Sequence, residues 1–420
     1  MKYVLFIVFL MLCCVSISAQ NQPLKYYAEK HGKCIGVAIR EAYMSGGGAT
    51  HNELVKKEFN TVVCENAMKS SSLSKSKTSY TFSTADAVVN FAISNKMKIR
   101  GHTLIWHGQN AGWITTGSRA QVLDNMNYHI KKVVEYYKGK CFQWDVVNEA
   151  FEDEGPNMRN SAYRTIVGPD FIDSAFVYAH RADPDCKLFY NDFNIETINT
   201  KSDAVYAMVK KMVQNGIPIH GVGFQSHEPG WAGKRGFSSY SALKENIERF
   251  AALGLEIAIT ELDVGGNTQD KVYADYMKVT LDIPAVTTFM IWGVRDQDSW
   301  RASTSPLIYN NSWQPKPAYN AILDVLKNTA VVSAKPVNRS VQNQICSGEL
   351  IYNKMINTIY FRDQSSNMPV VLDAFDLRGV KIGTFTIPVN KVVSFSSLNM
   401  ADGLKVFRVK SRGVNVSSVQ

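Results

Sequence analysis

The chain has 420 residues, 45% hydrophobic, 20% charged and 11% aromatic, a globular composition with room for one large domain plus a small one, or two of middle size. Its formal charge of +9 is spread along the sequence with no block of five or six Lys or Arg, which argues against a nucleic-acid partner. Beyond the first twenty residues the cysteines are Cys34, Cys64, Cys141, Cys186 and Cys346. That odd set has no CxxC spacing, so neither a zinc site nor a disulfide framework is indicated, and buried, inert thiols are expected.

The opening stretch "MKYVLFIVFLMLCCVSISAQ" carries one Lys, then an apolar run, then small residues ending near Ala19. The run is short for a membrane span, and the pattern is that of a secretory signal peptide over residues 1–19. A lipoprotein site at Cys13 or Cys14 fits poorly, because "FLML" before the cysteines lacks small residues. The mature protein is therefore expected to be secreted, extracellular or held at the cell surface, with no membrane span.

From about residue 30 to 330 one rhythm repeats. Short apolar runs ("CIGVAIR", "FNTVVCEN", "MKIRGHTLIW", "CFQWDVVNE", "CKLFYNDFN", "IHGVGFQSH", "LEIAITELD", "VTTFMIWGV") predict strands. Longer amphipathic stretches such as "TADAVVNFAISN", "QVLDNMNYHIKKVVEYYKG" and "YSALKENIERFAALG" lie between them and predict helices. Several end in Gly or Asn, as left-handed helix C-caps do. "SSSLSKSKTSYTFST" is expected to be a polar loop. Either an α/β (β/α)8 barrel or an open doubly wound sheet shows such alternation. The position of the unusual residues separates them. Polar or aromatic clusters end nearly every predicted strand: Glu65-Asn66, His102 to His107, Asn148-Glu149, Asn191-Asp192, Gln225 to His227, Glu261 to Asp263, and Trp292. A barrel brings all those ends to one rim, whereas an open sheet uses only those near its switch point. A (β/α)8 barrel is predicted for residues 20–330.

The texture then changes. Residues 331–345 read as a linker. Residues 346–420 alternate with period two, broken by "DLRG" and "ADG" turns, which predicts a small all-β C-terminal domain.

Two carboxylates stand out, Glu149 after "WDVVN" and Glu261 after "IAIT". Strands four and seven face each other across a barrel rim, so these side chains can flank one bond. That is the requirement of glycoside hydrolysis: one carboxylic acid protonates the leaving oxygen while the other attacks the anomeric carbon or activates water. Taken singly, either residue reads equally well as a solvated loop carboxylate. Together with their neighbours they form a site. Asn148 and Glu149 can both reach one substrate only if the strand ends between them. His227 can bond Glu261 and keep it ionised, with Asp263 orienting the imidazole. Trp106, Trp292 and Trp300 offer flat faces for sugar rings. His129, His180 and His220 read as structural, and Trp144 and Asp145 as support. No metal-ligand spacing, phosphate loop or nucleophile elbow is present, so no metal and no cofactor are expected.

The segments "AEKHGKCIGVA", "FNTVVCENAMK", "ADAVVNFAISNKMKIRGHTLIWHGQ", "WDVVNEAF", "DPDCKLFYNDFNIE", "GVGFQSH", "ITELDV" and "WGVRDQDSWR" carry a resemblance. Residues 24 to 328 resemble glycoside hydrolase family ten, the retaining endo-β-1,4-xylanases. The resemblance implies Glu149 as acid/base and Glu261 as nucleophile. It further implies that Glu65, Asn66, Lys69, His102, Trp106, Gln109, Asn148, Gln225, His227, Trp292 and Trp300 hold xylose residues or tune the nucleophile. The implied partners are xylan and xylo-oligosaccharides, acted on by a monomer. The sequence departs from the family pattern at Ser70, where a Trp is usual, at Gly108 and Asn110 in "HGQNAGW", and at Glu228, where an apolar residue is common. Loosened packing behind the glycone-side sugars is expected from Ser70. The C-terminal segment weakly resembles small β-domains that serve secreted bacterial hydrolases as sorting or attachment signals, with a carbohydrate-binding module as the competing reading. Rival functions are a barrel glycosidase acting on glucan or mannan, and a non-catalytic xylan-binding protein.

Overall fold

The computed structural model describes residues 22–229, 239–331 and six strands between residues 349 and 412. The predicted signal peptide, most of the linker and Cys346 lie outside them. The chain divides into two compact units, Met1–Val332 and Ser333–Gln420.

In the first unit eight parallel strands close on themselves: β1 (Cys34–Ile39), β2 (Thr61–Cys64), β3 (Lys98–Trp106), β4 (Cys141–Asn148), β5 (Lys187–Asp192), β6 (Gly221–Phe224), β7 (Glu256–Val264) and β8 (Val286–Ile291). Closure comes from β8 pairing with both β1 and β7, so the ring of eight has no open edge; a two-residue strand, His227–Glu228, adds to the outer end of β7. This is the predicted (β/α)8 barrel. A helix follows each strand: α1 (Ala49–Glu58), α2 (Ser83–Ser94), α3 (Arg119–Tyr136), α4 (Phe171–Ala182), α5 (Thr200–Gln214), α6 (Tyr240–Ala251), α7 (Gln269–Asp282) and α8 (Pro317–Asn328).

Strands lying between a packed barrel interior and a ring of helices are buried on both faces, which is why they read as continuous apolar runs. β1 and β2 are buried at every position. The helices instead carry one apolar stripe, seen in α4 as Phe171, Ile172, Ala175, Phe176 and Ala179. α3 starts at a capping box in which Ser118 and Gln121 satisfy each other's backbone N–H groups. Gly139, Gly216 and Gly254, just past α3, α5 and α6, have φ of +72°, +69° and +83°, the left-handed stops expected from the sequence.

The stretch read as a polar loop, residues 70–84, is a correction. It holds a short helix (Ser70–Leu73) and a hairpin (Ser74–Ser76 with Ser79–Tyr80) before α2 begins at Ser83. Serine hydroxyls can bond locally to backbone, so a polar composition is compatible with compact structure. Here Leu73 and Ser74 are buried, and Ser74 donates to the carbonyl of Ser76. Among the described residues Cys34, Cys64, Cys141 and Cys186 are buried free thiols, and no helix is long and apolar enough to cross a membrane.

The described strands of the second unit pair as two antiparallel sheets. One joins Glu349–Asn353, Thr358–Arg362 and Val392–Ser394, and the other joins Lys381–Ile387, Val370–Phe375 and Val406–Arg412.

Candidate active site

The C-terminal ends of the barrel strands surround a cleft of about 450 Å³. Glu65, Asn66, Lys69, His102, Trp106, Gln109, Asn148, Glu149, Gln225, His227, Glu261, Trp292 and Trp300 all line it, and Asp263 stands one layer behind.

β4 ends at Asn148, and Glu149 takes a left-handed conformation with φ +54°. That region is sparsely populated for a residue with a Cβ and is tolerated where surroundings enforce it. The change of backbone direction brings Asn148 and Glu149, which strict alternation would separate, to the same cleft. Trp106 Nε1 donates to Glu149 Oε2 at 2.7 Å, and Gln225 Nε2 donates to Oε1 at 2.9 Å. Glu149 stays partly open to the cleft.

Glu261, near the end of β7, is buried. Asn191 Nδ2 donates to its Oε1 at 2.8 Å, and His227 Nε2 lies 3.3 Å from Oε2. The other ring nitrogen of His227, Nδ1, is 3.0 Å from Asp263 Oδ2. Asp263 also accepts from Trp300 Nε1 at 2.9 Å and from Arg301 at 2.6 Å. Burial alone would lower the pKa of His227. The charge and hydrogen bond of Asp263, with help from Glu261, outweigh it and raise the value to about 10. Burial alone would raise the pKa of Glu261. The His227 hydrogen bond, the charges at His102 and His227, and the Asn191 amide outweigh it and bring the value to about 2. Glu261 is thus a buried carboxylate held ionised.

The two glutamates are joined by amides. Asn148 Oδ1 accepts from Gln225 Nε2 at 3.2 Å and from Asn191 Nδ2 at 2.9 Å, so one hydrogen-bonded chain runs from Glu149 to Glu261. Register makes this possible: Trp106 pairs with Asn148, Asn148 with Asn191, and Asn191 with Gly223. Gly223 is required there, since a Cβ on it would lie 2.2 Å from Asn191 Oδ1.

At one side of the cleft Lys69 Nζ donates to Asn66 Oδ1 at 3.0 Å and to Gln109 Oε1 at 2.9 Å, and sits 4.9 Å from the Trp106 ring centre. Burial lowers the Lys69 pKa against the opposing pull of Glu261, Glu65 and Glu149, and burial with the charge of Glu41 raises that of Glu65. His102 is fixed by Asp145, 2.9 Å away, which also binds Arg100, so Asp145 is support as the sequence suggested. Trp292 is mostly buried edge-on to His102, while Trp300 is 42% exposed.

Ser70, where the family pattern has a Trp, is held in a hydrogen-bonded pocket. It is buried, donates to Asn110 Oδ1 at 3.3 Å and accepts from the backbone of Ala111 at 3.0 Å. Tyr163 donates to the same Asn110 oxygen at 2.7 Å, so two departures from the family pattern pair with each other. Glu228 is buried too and accepts from Tyr276 at 2.6 Å. His129 and His220 are structural, bonded to Tyr80 and to the backbone of Leu188.

Sequence reasoning gave no site role to Asn191, His107, Asp153, Arg159 or Phe193. Apart from Asn191, each of these lines the cleft. The signal for Asn191 was its place at a strand end in "YNDFN"; the other four sit in or beside loops, where sequence carries little positional information.

Residues 23–325 match the family described as glycosyl hydrolase family 10. Endo-1,4-beta-xylanase B of Thermotoga neapolitana is 39% identical over 333 residues, covering 75% of this chain and 94% of that protein. The exoglucanase XynX of Acetivibrio thermocellus is 39% identical over 318 residues, covering 70% of this chain, which spans 28% of that longer protein. Among solved structures, xylanase 10B from Thermotoga petrophila in complex with xylobiose aligns with a TM-score of 0.69 at 38% identity, covering 73% of this chain and 98% of that one. The matched region contains every barrel strand end described above, and the chain is a glycoside hydrolase belonging to glycosyl hydrolase family 10.

Proposed function

We propose that the chain is a secreted, retaining endo-1,4-β-xylanase that hydrolyses internal bonds of xylan by double displacement. The observation that carries this reading is the pairing of Glu149 and Glu261 across one cleft in unlike surroundings, one partly open and one buried and held ionised. Glu261 attacks the anomeric carbon while Glu149 protonates the departing sugar oxygen. Glu149 then takes a proton from water, which releases the sugar from Glu261. Asn148, Gln225 and Asn191 hold the two carboxylates in register, and the charged His227 beside Glu261 favours the free carboxylate as the sugar leaves. Lys69, Asn66, Gln109 and Glu65 supply donors and acceptors for sugar hydroxyls. Trp106, Trp292 and Trp300 supply apolar ring surface. The substrate assignment draws on the xylanase names of relatives matched over most of the barrel.

Two measurements test it. Proton NMR of early products from xylohexaose should show the β-anomer first; the α-anomer first would sink retention. Glu261→Ala and Glu149→Ala should each cut turnover of xylan about 10²–10⁴-fold or more with an unchanged circular dichroism spectrum.

A second reading, action on β-1,4-glucan, is favoured by the exoglucanase name of one relative. Reducing-sugar release from xylan, carboxymethylcellulose and mannan, with products sized, separates the two and also excludes or admits a non-catalytic role.

The N-terminal segment supports export, and secreted material beginning after Ala19 is the expected result of N-terminal sequencing. The paired antiparallel strands after residue 349 support a small all-β domain for sorting or attachment. Its removal should shift the enzyme from cell surface to medium. Retention on insoluble xylan by the isolated segment would favour carbohydrate binding instead. A monomer is expected, checked by light scattering.

A further inference from the structure

We infer that Tyr190, Asp192 and Lys201 form a buried positioning device that aims the proton carrier Glu149. The inference rests on the acid/base reading of Glu149.

All three residues are essentially removed from solvent, at 0%, 0% and 1% exposure. Lys201, in the first turn of α5, places Nζ 2.7 Å from Asp192 Oδ1 and 3.8 Å from the ring centre of Phe193, which lines the cleft. Tyr190 donates its hydroxyl proton to Asp192 Oδ2 at 2.5 Å. The phenolic oxygen, its proton committed in that direction, accepts from the backbone N–H of Ala150 at 3.1 Å. Ala150 is the residue after Glu149.

A buried ion pair is weak evidence for stability, since well-packed apolar residues of similar volume serve as well or better. This one ends on a backbone group with a specific need. Once Glu149 leaves the strand conformation, the next N–H no longer points along the sheet and is buried, so it requires an acceptor. β5 provides two anchors in a row: the carbonyl of Asn191 accepts from Glu149 N at 2.9 Å, and Tyr190 accepts from Ala150 N. Arg159 Nε donates to the Glu149 carbonyl at 3.3 Å from the other side. The left-handed Glu149 is thereby clamped on both of its peptide groups. Alternation along β5 sends Asn191 inward, behind the cleft, to Asn148 and Glu261, and sends Tyr190 and Asp192 to the helix side. One strand therefore serves the nucleophile with one face and the proton carrier with the other.

Tyr190 touches no substrate in this scheme, and as a positioning residue it acts on the reaction through Glu149. The test compares kcat/KM of Tyr190→Phe on xylohexaose, whose leaving sugar needs a proton, with kcat/KM on dinitrophenyl β-xylobioside, whose leaving group departs without one. A fall of about ten- to a hundredfold on xylohexaose is expected, with the activated substrate unchanged within about twofold. Equal losses on both substrates, or no loss on xylohexaose, would overturn the inference. Glu149→Ala measured alongside should show the same split, larger. Equal losses in that variant would instead sink the acid/base reading, so the two failures are told apart. If Tyr190→Phe fails to fold by circular dichroism, Asp192→Asn, which keeps the side-chain size, decides by the same comparison.

Discussion

His227 lies between two carboxylates, and the pH behaviour of the site follows from that arrangement. Glu261 is depressed to about 2 from an ordinary 4.5, so the stability it contributes is present above pH 4.5 and lost as pH falls through about 2. His227 is raised to about 10 from 6.5, so its contribution is complete below pH 6.5 and lost as pH rises through about 10. Both contributions are full between pH 4.5 and 6.5. His227→Gln removes the cation and leaves the burial of Glu261 less compensated. The acid limb of the kcat/KM profile on xylohexaose should then move up by about one unit or more. An unmoved limb would mean that His227 does not tune the nucleophile. This contact was legible in the sequence because His227 follows a predicted strand in "GFQSH" and Asp263 comes two residues after Glu261 in "ITELD". The bridging role of Asn191 was not, because an amide shows its use only when Asn148 and Glu261 are seen on either side of it.

At the scale of elements, β5 and β6 meet closely enough for the Asn191 side chain to occupy the place of a missing Cβ. Gly223→Ala puts a methyl 2.2 Å from Asn191 Oδ1 and 2.8 Å from Thr260 Cγ2. A loss of about 1–3 kcal/mol in urea unfolding is expected, together with lower kcat as Asn191 leaves Glu261. Wild-type stability and turnover would show that the strands separate at no cost. The strand and helix periods were readable because burial on both faces leaves a solid apolar run, whereas burial on one side leaves a stripe. Residues 70–84 were misread because serines bonding their own backbone look like solvent-facing serines.

For the molecule as a whole, the barrel's core runs from Leu24 to Leu326 and its eight main strands form a closed ring. The xylobiose-bound relative is matched over 98% of its length by 73% of this chain, so that structure consists almost wholly of the barrel region. A chain ending at Val332 should keep its kcat/KM on xylohexaose. Its melting temperature should move by no more than about 2–4 °C, the shift of ~1 kcal/mol in a domain this size. A larger drop in calorimetry would make the second unit part of the barrel's stability. The sequence by itself determined the alternation of elements and the chemistry waiting at each strand end, since local periodicity and residue type express both. Only the tertiary structure decided which of those ends act together. Closure of β1 on β8 turns distant segments into neighbours, register sets Asn148 beside Asn191, and the left-handed turn at Glu149 aims one carboxylate at a cleft whose other carboxylate is buried and charged. Those are properties of a closed sheet, and no window of the chain contains them.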